Sequence, residues 1–243
     1  PLKRKAAVTA LEFLPVQVKV RLAPPLLSDE ILMVRIEAAR ILASVPPTGL
    51  SEQQRMAFDS ATEEYIRSQT VNADRPQAQL NLGNFYVARK QFDKAERAYR
   101  KAIDLDSSFS AAYINMADLY RLQKNDKAAT VILEQALETF PGNADVHYAL
   151  GLSLIRQHEN EEAVRKLKSA ADLAQDNARY VYVYAIALNS TGKSGEAIAQ
   201  LQAAQQRFPD DADILTALVS FHRDAGNEFA AQSYMKKLQK LSR

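Results

Sequence analysis

The sequence lacks cysteine and tryptophan and has few glycines, and these absences narrow the functions open to it. Its 243 residues include no Cys, no Trp and only 7 Gly. Without cysteine, this segment cannot form a disulfide, a thiolate metal site or a c-type haem attachment. It also contains no phosphate-binding glycine loop, no Gly-x-Ser-x-Gly and no His-Glu-x-x-His motif. The sequence therefore predicts a protein that is not an enzyme and has no metal site and no cofactor.

The sequence also lacks a large excess of positive or negative charge and has no long apolar run. The net charge is +2, and Lys and Arg are interspersed with Asp and Glu, although KRK at residues 3–5 is locally basic. No basic face for nucleic acid is therefore expected. No apolar run reaches the roughly eighteen residues of a membrane span, so no membrane insertion is expected. No signal segment opens the chain, but it begins at Pro1 without Met, so the localisation stays open.

What the sequence does contain is an internal repeat with a fixed period, found by comparing the chain with itself. One column of small residues is Ala95, Ala129, Ala163, Ala197 and Ala231. Twelve residues before each lies a second column, Gly83, Ala117, Gly151, Ala185 and Val219. Large apolar residues form further columns, among them Tyr99, Leu133, Leu167, Leu201 and Met235. Prolines follow at Pro141 and Pro209.

This pattern resembles the tetratricopeptide repeat, a helical hairpin of about 34 residues. Small residues let the two helices of a hairpin approach closely, and we expect the large ones to fill the space between successive hairpins. The resemblance implies an all-α fold, a right-handed α-α superhelix or helical-hairpin solenoid. It places five repeats in residues 76–243, namely 76–109, 110–143, 144–177, 178–211 and 212–243.

The stretch RYVYVYAIAL at residues 179–188 looks locally like a buried β-strand, because aromatic and β-branched residues alternate in it. The repeat register instead predicts a helix, and the propensity cost of a few tenths of a kcal/mol per residue is too small to oppose it. In this register Tyr184 falls in the core, Tyr180 between repeats and Tyr182 on the groove side.

Residues 1–75 follow a different pattern. RKAAVTALEFLP from Arg4 and RIEAARILASVP from Arg35 superpose at an offset of 31. The run from Asp29 to Leu42 resembles a HEAT repeat, another hairpin solenoid, so residues 1–50 are interpreted as HEAT-like. Residues 51–75 are predicted to be a connecting helix capped by Ser51 and equivalent to half a tetratricopeptide unit. We expect one continuous array without a flexible linker.

Function in such solenoids resides in the concave groove lined by the first helix of each repeat, which the resemblance assigns to particular positions. Its apolar centre is predicted to comprise Ile114, Tyr148, Leu152, Ile155, Tyr182 and Ile186. Its polar members are predicted to be Asn81, Asn84, Asn115, Asp118, Arg121 and Asn189. An apolar patch with a polar rim is typical of a partner site. The alternative is that tight curvature buries much of this patch.

Two known peptide-binding devices of the family are only partly present. Asn81 and Asn115 share the sixth position, like the first two rungs of an asparagine ladder that holds a peptide backbone. Asn84 and Asn115 also match two asparagines of the carboxylate clamp for acidic tails. The basic residues of that clamp are replaced by Leu80, Asp145 and Ala149, so an acidic chaperone tail is not the expected partner.

The three histidines and the acidic stretch HENEEA at residues 158–163 are interpreted as structural or solvent-facing. His147, His158 and His222 do not converge in the repeat register, and acids at the start of a helix complement its dipole. HENEEA also lacks the alternate-residue ligand spacing of a calcium loop.

We therefore expect a noncatalytic protein-interaction scaffold that binds a peptide, helix or neighbouring domain in the groove. The alternative is a structural module that docks onto another copy, forming a homo-oligomer, or onto an upstream domain of the same polypeptide. HEAT-like units before tetratricopeptide repeats resemble the C-terminal region of larger bacterial proteins, including exported multihaem cytochromes. That context would imply a periplasmic location rather than a cytoplasmic one, and an upstream domain that bears haem.

Overall fold

The computed structural model describes residues 2–241, and all regular structure in that range is helical. Pro1, Ser242 and Arg243, which the sequence assigns to the first and last segments, lie outside the described residues. The α-helices are α1 Leu2–Ala10, α2 Val16–Leu22, α3 Leu32–Leu42, α4 Glu52–Thr70, α5 Pro76–Ala88, α6 Phe92–Leu105, α7 Ser110–Leu122, α8 Asp126–Thr139, α9 Ala144–Arg156, α10 Asn160–Leu173, α11 Ala178–Ser190, α12 Ser194–Arg207, α13 Ala212–Asp224 and α14 Glu228–Leu241. Short 3₁₀ helices span Leu11–Phe13, Pro24–Ser28 and Pro47–Gly49. The predicted all-α helical-hairpin solenoid is confirmed.

The first helix of each hairpin begins at the residue where the period starts a repeat. Helices α5, α7, α9, α11 and α13 start at Pro76, Ser110, Ala144, Ala178 and Ala212. Caps recur with the same period, since the side chains of Asn143, Asn177 and Asp211 accept backbone N–H groups of the helices that follow them. RYVYVYAIAL lies within α11, so the helical prediction for it is correct.

The chain divides into two compact units, residues 1–115 and 116–243, with the boundary inside α7. In the N-terminal unit, α3 is buried against α1 and α4 through Val34, Leu42 and Phe58. Ser51 and the side chain of Gln54 form a complete capping box at the start of α4. The repeat-like arginines of α1 and α3 both pair with acids, Arg4 with Asp29 and Arg35 with Glu64. The HEAT-like interpretation of this segment stays a prediction.

The C-terminal unit has its core where successive hairpins meet. One cluster of buried residues joins Leu167 and Ala170 of α10 to residues of α11, α12 and α13, among them Tyr184, Leu201 and Leu218. Tyr184 is 6% exposed, as expected for a core position. Tyr180 is 7% exposed and packs between repeats, as the register predicts.

In two of the hairpins, a glycine lies tightly against a large residue of the facing helix. A Cβ built on Gly151 would lie 2.7 Å from Leu167 Cγ and 3.4 Å from the Ala163 carbonyl oxygen. A Cβ on Gly83 would lie 2.2 Å from the Tyr99 ring. The large residues of this column therefore fill space inside their own hairpin as well as between hairpins, which the sequence did not predict.

We predict that Gly151→Ala destabilises the protein by about 1–3 kcal/mol, because Leu167 is fully buried and cannot move away without disturbing the core. Urea denaturation followed by circular dichroism measures the change. The matched control is Gly195→Ala in α12, where a Cβ meets nothing within 4 Å. Alanine there should be neutral or stabilising by up to about 1 kcal/mol, because glycine is costly in a helix. Equal losses in the two variants would contradict the proposed packing.

Each of the five hairpin turns contains one residue with positive φ, at the same position of every repeat. These residues are Lys90, Lys124, His158, Gly192 and Gly226, with φ between 56° and 81°. In each turn the next N–H donates to the carbonyl five residues earlier, as Gln91 does to Tyr86, which is a Schellman arrangement. Three of the five turns therefore hold a non-glycine residue in the left-handed region, where a side chain costs about 1–2 kcal/mol.

His158→Gly and Lys124→Gly are accordingly expected to stabilise the protein by about 0.5–1 kcal/mol each, after the entropy that glycine gains in the unfolded chain is subtracted. Gly192→Ala, at the same register with φ of 81°, should destabilise by a similar amount. The melting temperatures of the three variants, compared with that of the wild type, test these predictions. A lower midpoint for His158→Gly would mean that its imidazole makes a stabilising contact that outweighs the strain.

Candidate partner-binding face

The N-terminal unit holds four of the predicted groove residues, and the structure links them differently from the expected ladder. Asn81 is tied to its own neighbourhood, because its Nδ2 donates to Gln69 Oε1 at 3.0 Å and its Oδ1 accepts from Gln77 at 2.9 Å. The asparagines that meet are Asn84 and Asn115, through a bond of 2.9 Å from Asn115 Nδ2 to Asn84 Oδ1. Ile114, beside them on α7, is half-buried.

Asn84 is fixed further by the hydroxyl of Tyr99, which donates to its Oδ1 at 2.7 Å. Within the described residues no hydrogen bond uses Asn84 Nδ2 or Asn115 Oδ1, so one donor and one acceptor remain free on adjacent helices. Asn84 is exposed and Asn115 is half-buried. An extended peptide backbone presents one acceptor and one donor per residue, so this amide pair has the chemistry to bind it.

The C-terminal unit carries the apolar centre of the predicted groove on α9 and α11. Leu152, Ile155 and Tyr182 are half-buried, and Ile186 is 37% exposed. Ile155 and Tyr182 rest partly on the core cluster beneath them. Asn189, one turn beyond Ile186, is also half-buried. Packing therefore covers part of the predicted patch, and Leu152, Ile155, Tyr182 and Ile186, which we call the strip, each keep some accessible surface.

The side chain of Tyr148 is held by its neighbours, because its ring stacks on a neighbouring tyrosine. The ring centroids of Tyr148 and Tyr180 are 4.5 Å apart at an angle of 23°. The Tyr148 hydroxyl accepts a hydrogen bond from Arg179 Nε at 3.0 Å, and this bond raises the pKa of the arginine. One face of the Tyr148 ring is therefore covered by Tyr180.

Tyr180 forms a polar contact that sequence reasoning missed. Its hydroxyl donates to Asp145 Oδ1 from one repeat to the preceding one. Burial and this bond both raise the pKa of Tyr180. A signal for the pair does exist in the sequence, since an acid at the second position of one repeat is followed by a tyrosine at the third position of the next. Asp145 and Tyr180 therefore fix the spacing of α9 and α11 beneath the groove.

The polar rim of this unit is largely neutralised within itself. Arg121 Nε lies 3.0 Å from Asp118 Oδ1 on α7, and both side chains are exposed. Arg156 Nε lies 2.6 Å from Asp126 Oδ1. Such exposed pairs contribute about 0–1 kcal/mol each to folding. Because these charges are paired with each other, they do not form a positively or negatively charged surface that would attract a charged partner.

The three histidines lie in different local surroundings. His222 is 6% exposed and stacks on Tyr234 with ring centroids 5.6 Å apart. His147 Nε2 lies 2.8 Å from the Pro141 carbonyl oxygen, and His158 occupies a hairpin turn. Residues 2–241 contain no group of three or more His, Cys, Asp or Glu side chains placed to hold a metal ion. Over the same residues, no helix has both the length and the apolar character that crossing a membrane requires.

We predict that Tyr180→Phe destabilises the protein by about 1.5–3 kcal/mol at pH 7, because it removes a hydrogen bond to a charged group. The pKa of Tyr180 is raised by folding, so the wild type should lose stability above pH 10, where the unfolded tyrosine ionises first. The difference in unfolding free energy between the wild type and Tyr180→Phe should therefore become smaller as the pH rises. Tyr148→Phe is the control, and removing its bond to the exposed Arg179 should cost less than about 1 kcal/mol. Urea titrations at pH 7 and above pH 10 measure both effects, and a gap that widens with pH would refute the assignment.

Comparison with known proteins agrees with the repeat analysis. Family models described as tetratricopeptide repeat match residues 50–108 and 148–212 in one case and 86–152 in another. The chain belongs to the tetratricopeptide repeat family. Such repeats generally act as noncatalytic scaffolds for protein–protein interaction. The first match includes α4, the helix that the sequence assigns to half a repeat.

Several solved structures share the fold. The MamA protein aligns with a TM-score of 0.59 at 20% identity, over 68% of this chain and 91% of MamA. YrrB, described as a TPR protein with an unusual peptide-binding site, aligns with a TM-score of 0.56 at 23% identity, over 72% of this chain and 90% of YrrB. PilF of Pseudomonas aeruginosa aligns with a TM-score of 0.58 at 20% identity, over 68% of this chain and 75% of PilF. At these identities the likeness concerns the fold. No match was found among curated proteins.

Proposed function

We propose that this chain is a noncatalytic scaffold that binds an apolar peptide or helix of a partner protein on the strip formed by α9 and α11. The observation that supports this most directly is the incomplete burial of Leu152, Ile155, Tyr182 and Ile186, which occupy groove positions of two successive repeats. Apolar side chains that packing leaves half-covered on adjacent helices are typical of a docking surface.

The size of the strip indicates how strongly it binds. Complete burial of a large aliphatic side chain is worth about 1.5–3 kcal/mol, so covering the remaining part of each residue contributes roughly 1 kcal/mol. Four such residues give about 4 kcal/mol, which is of the same order as the smaller estimates for the rigid-body entropy lost on association. Backbone hydrogen bonds to the partner are therefore needed as well. This balance favours a weak, exchangeable partner.

The charges around the strip favour a partner without strong charge. The second positions of three successive repeats alternate in sign, with Asp145, Arg179 and Asp213, and the rim pairs are neutral. An acidic tail would meet Asp145 and Asp213 as well as Arg179. The missing clamp residues lead to the same conclusion. A peptide-binding role is also in keeping with YrrB, a protein of the same fold described as having a peptide-binding site.

The double variant Tyr182→Ala/Ile186→Ala is expected to weaken partner binding tenfold or more, since a large side chain at the centre of an interface often contributes about 2 kcal/mol. Partners are first captured from an extract of the source organism with the wild type, and the affinity of one of them is then measured by calorimetry. The matched control is Val131→Ala on α8, which removes an apolar side chain that is 65% exposed and lies off the strip. It should leave the affinity unchanged.

A second experiment with the same variants tests the alternative that the strip holds another copy of the chain. Sedimentation of the wild type over a hundredfold range of concentration shows whether the strip holds a second copy of the chain. If the wild type and Val131→Ala self-associate and the double variant does not, the strip is an interface between copies of this chain and does not bind an external partner. Full binding of every captured partner by a correctly folded double variant would refute the strip as a binding site.

A further inference from the structure

A second candidate site lies entirely within the N-terminal unit. The structure contains a cleft of about 820 Å³ with walls from four helices, α1, α3, α4 and α5. A smaller cavity of about 250 Å³ shares three of its lining residues, Arg40, Tyr65 and Asn81. Ligand-binding clefts typically have volumes of roughly 300–1,000 Å³ and combine an apolar wall with a few converging polar groups.

The apolar wall of this cleft comes from the first two turns of α3. Leu32 is 49% exposed although it is a large aliphatic residue, and Met33 and Ile36 are half-buried beside it. All three line the cleft. Within this unit they form an aliphatic surface that is accessible to a ligand.

The polar group of greatest interest is Glu37, a carboxylate that is only 8% exposed. Its Oε1 accepts hydrogen bonds from Thr9 Oγ1 at 2.9 Å and from Arg40 Nη2 at 2.7 Å. Among the described residues nothing donates a hydrogen bond to its other oxygen, Oε2. This oxygen is not enclosed by the protein, so it can accept a hydrogen bond from a ligand in the cleft.

The surrounding charges show what kind of donor fits. Arg40 is already held by two carboxylates, Glu37 and a bidentate Glu12 with N–O distances of 2.8 and 3.0 Å. This bonding raises the pKa of Arg40 and lowers that of Glu12, so both groups stay charged. An anionic ligand finds little free positive charge beyond Lys5, and a cationic ligand meets Lys5 and a carboxylate that Arg40 already neutralises. A neutral N–H donor avoids both penalties.

Tyr65 and Asn81 complete the cleft as neutral hydrogen-bonding groups. The Tyr65 hydroxyl donates to the Asn81 carbonyl oxygen at 3.3 Å, and burial raises the pKa of Tyr65 to about 12, so this hydroxyl stays protonated. The cleft thus combines aliphatic surface, neutral polar groups and one accessible acceptor to which no protein group donates. A peptide backbone that carries apolar side chains has the matching set of groups, because each residue brings an N–H donor beside its side chain.

We infer that this cleft is a second recognition site, which binds a neutral, extended peptide segment of a partner protein with an aliphatic side chain against Leu32, Met33 and Ile36 and a backbone N–H donated to Glu37 Oε2. This site goes beyond the strip proposed above. The two are independent, because they lie in different compact units and share no residue.

The test uses a defined probe, the capped pentapeptide acetyl-Gly-Leu-Gly-Leu-Gly-amide, titrated into the full chain labelled with ¹³C at its Met, Ile and Leu methyl groups. Saturable shifts are expected at Met33 and Ile36. Leu32→Asp should abolish them, and aspartate is tolerated there because Leu32 is the first residue of α3 and about half-exposed. The matched control Met56→Asp replaces an apolar residue of α4 that is 71% exposed outside the cleft, and it should bind like the wild type.

The role of Glu37 is tested by methylating both leucine nitrogens of the peptide, which removes their N–H donors. The wild type should bind the methylated peptide tenfold or more weakly, because a hydrogen bond to a charged acceptor is lost. In Glu37→Gln the amide group can turn its nitrogen toward the cleft, so methylation should change the affinity by less than about twofold. Equal penalties in the two proteins would overturn the assignment of Glu37. Shifts confined to the methyl groups of Leu152, Ile155 and Ile186 would overturn the second site and leave the first intact.

Discussion

The structure depends on one steric constraint, the close approach of the two helices of a hairpin at a column of small residues. At Gly151 the facing Leu167 occupies the volume that any Cβ would need, and at Gly83 the ring of Tyr99 does the same. Both large residues are at most 2% exposed, so the core is built around these contacts. The repeat period of the sequence records this constraint, because each hairpin must place a small residue where its helices cross.

This constraint explains why the fold could be predicted when local propensity pointed elsewhere. Tyr180, Tyr182 and Tyr184 alternate with valines as in a strand, yet all three lie in α11, and Tyr180 and Tyr184 are buried as the register predicts. A small propensity cost per residue cannot compete with the burial of Tyr184 and Leu188 in a shared core. The periodic columns therefore specify helix positions, whereas side-chain geometry within a column does not follow from them.

The candidate sites show that limit. The assignment of Leu152, Ile155 and Ile186 to the groove face comes from the family resemblance and stays a prediction. The stacking of Tyr148 on Tyr180 could not be predicted, because it depends on rotamers and on the bonds to Arg179 and Asp145. The cleft near Glu37 could not be predicted at all, because its walls come from four helices that belong to no single repeat pattern. A charged residue among the buried alanines of α3 was the one local signal, and it indicated a polar contact without identifying the cleft.

The hairpin turns show how far packing can override a local preference. Each repeat requires a left-handed residue between its helices, and Lys90, Lys124 and His158 meet that requirement where glycine would do so at lower cost. A penalty of about 1–2 kcal/mol per turn is smaller than the roughly 3–5 kcal/mol associated with loss of one large buried side chain such as Tyr99. The crossing contacts can therefore hold a strained turn in place. A side chain at these turns is therefore tolerated, whereas a side chain added at a tight crossing such as Gly151 would displace a buried residue.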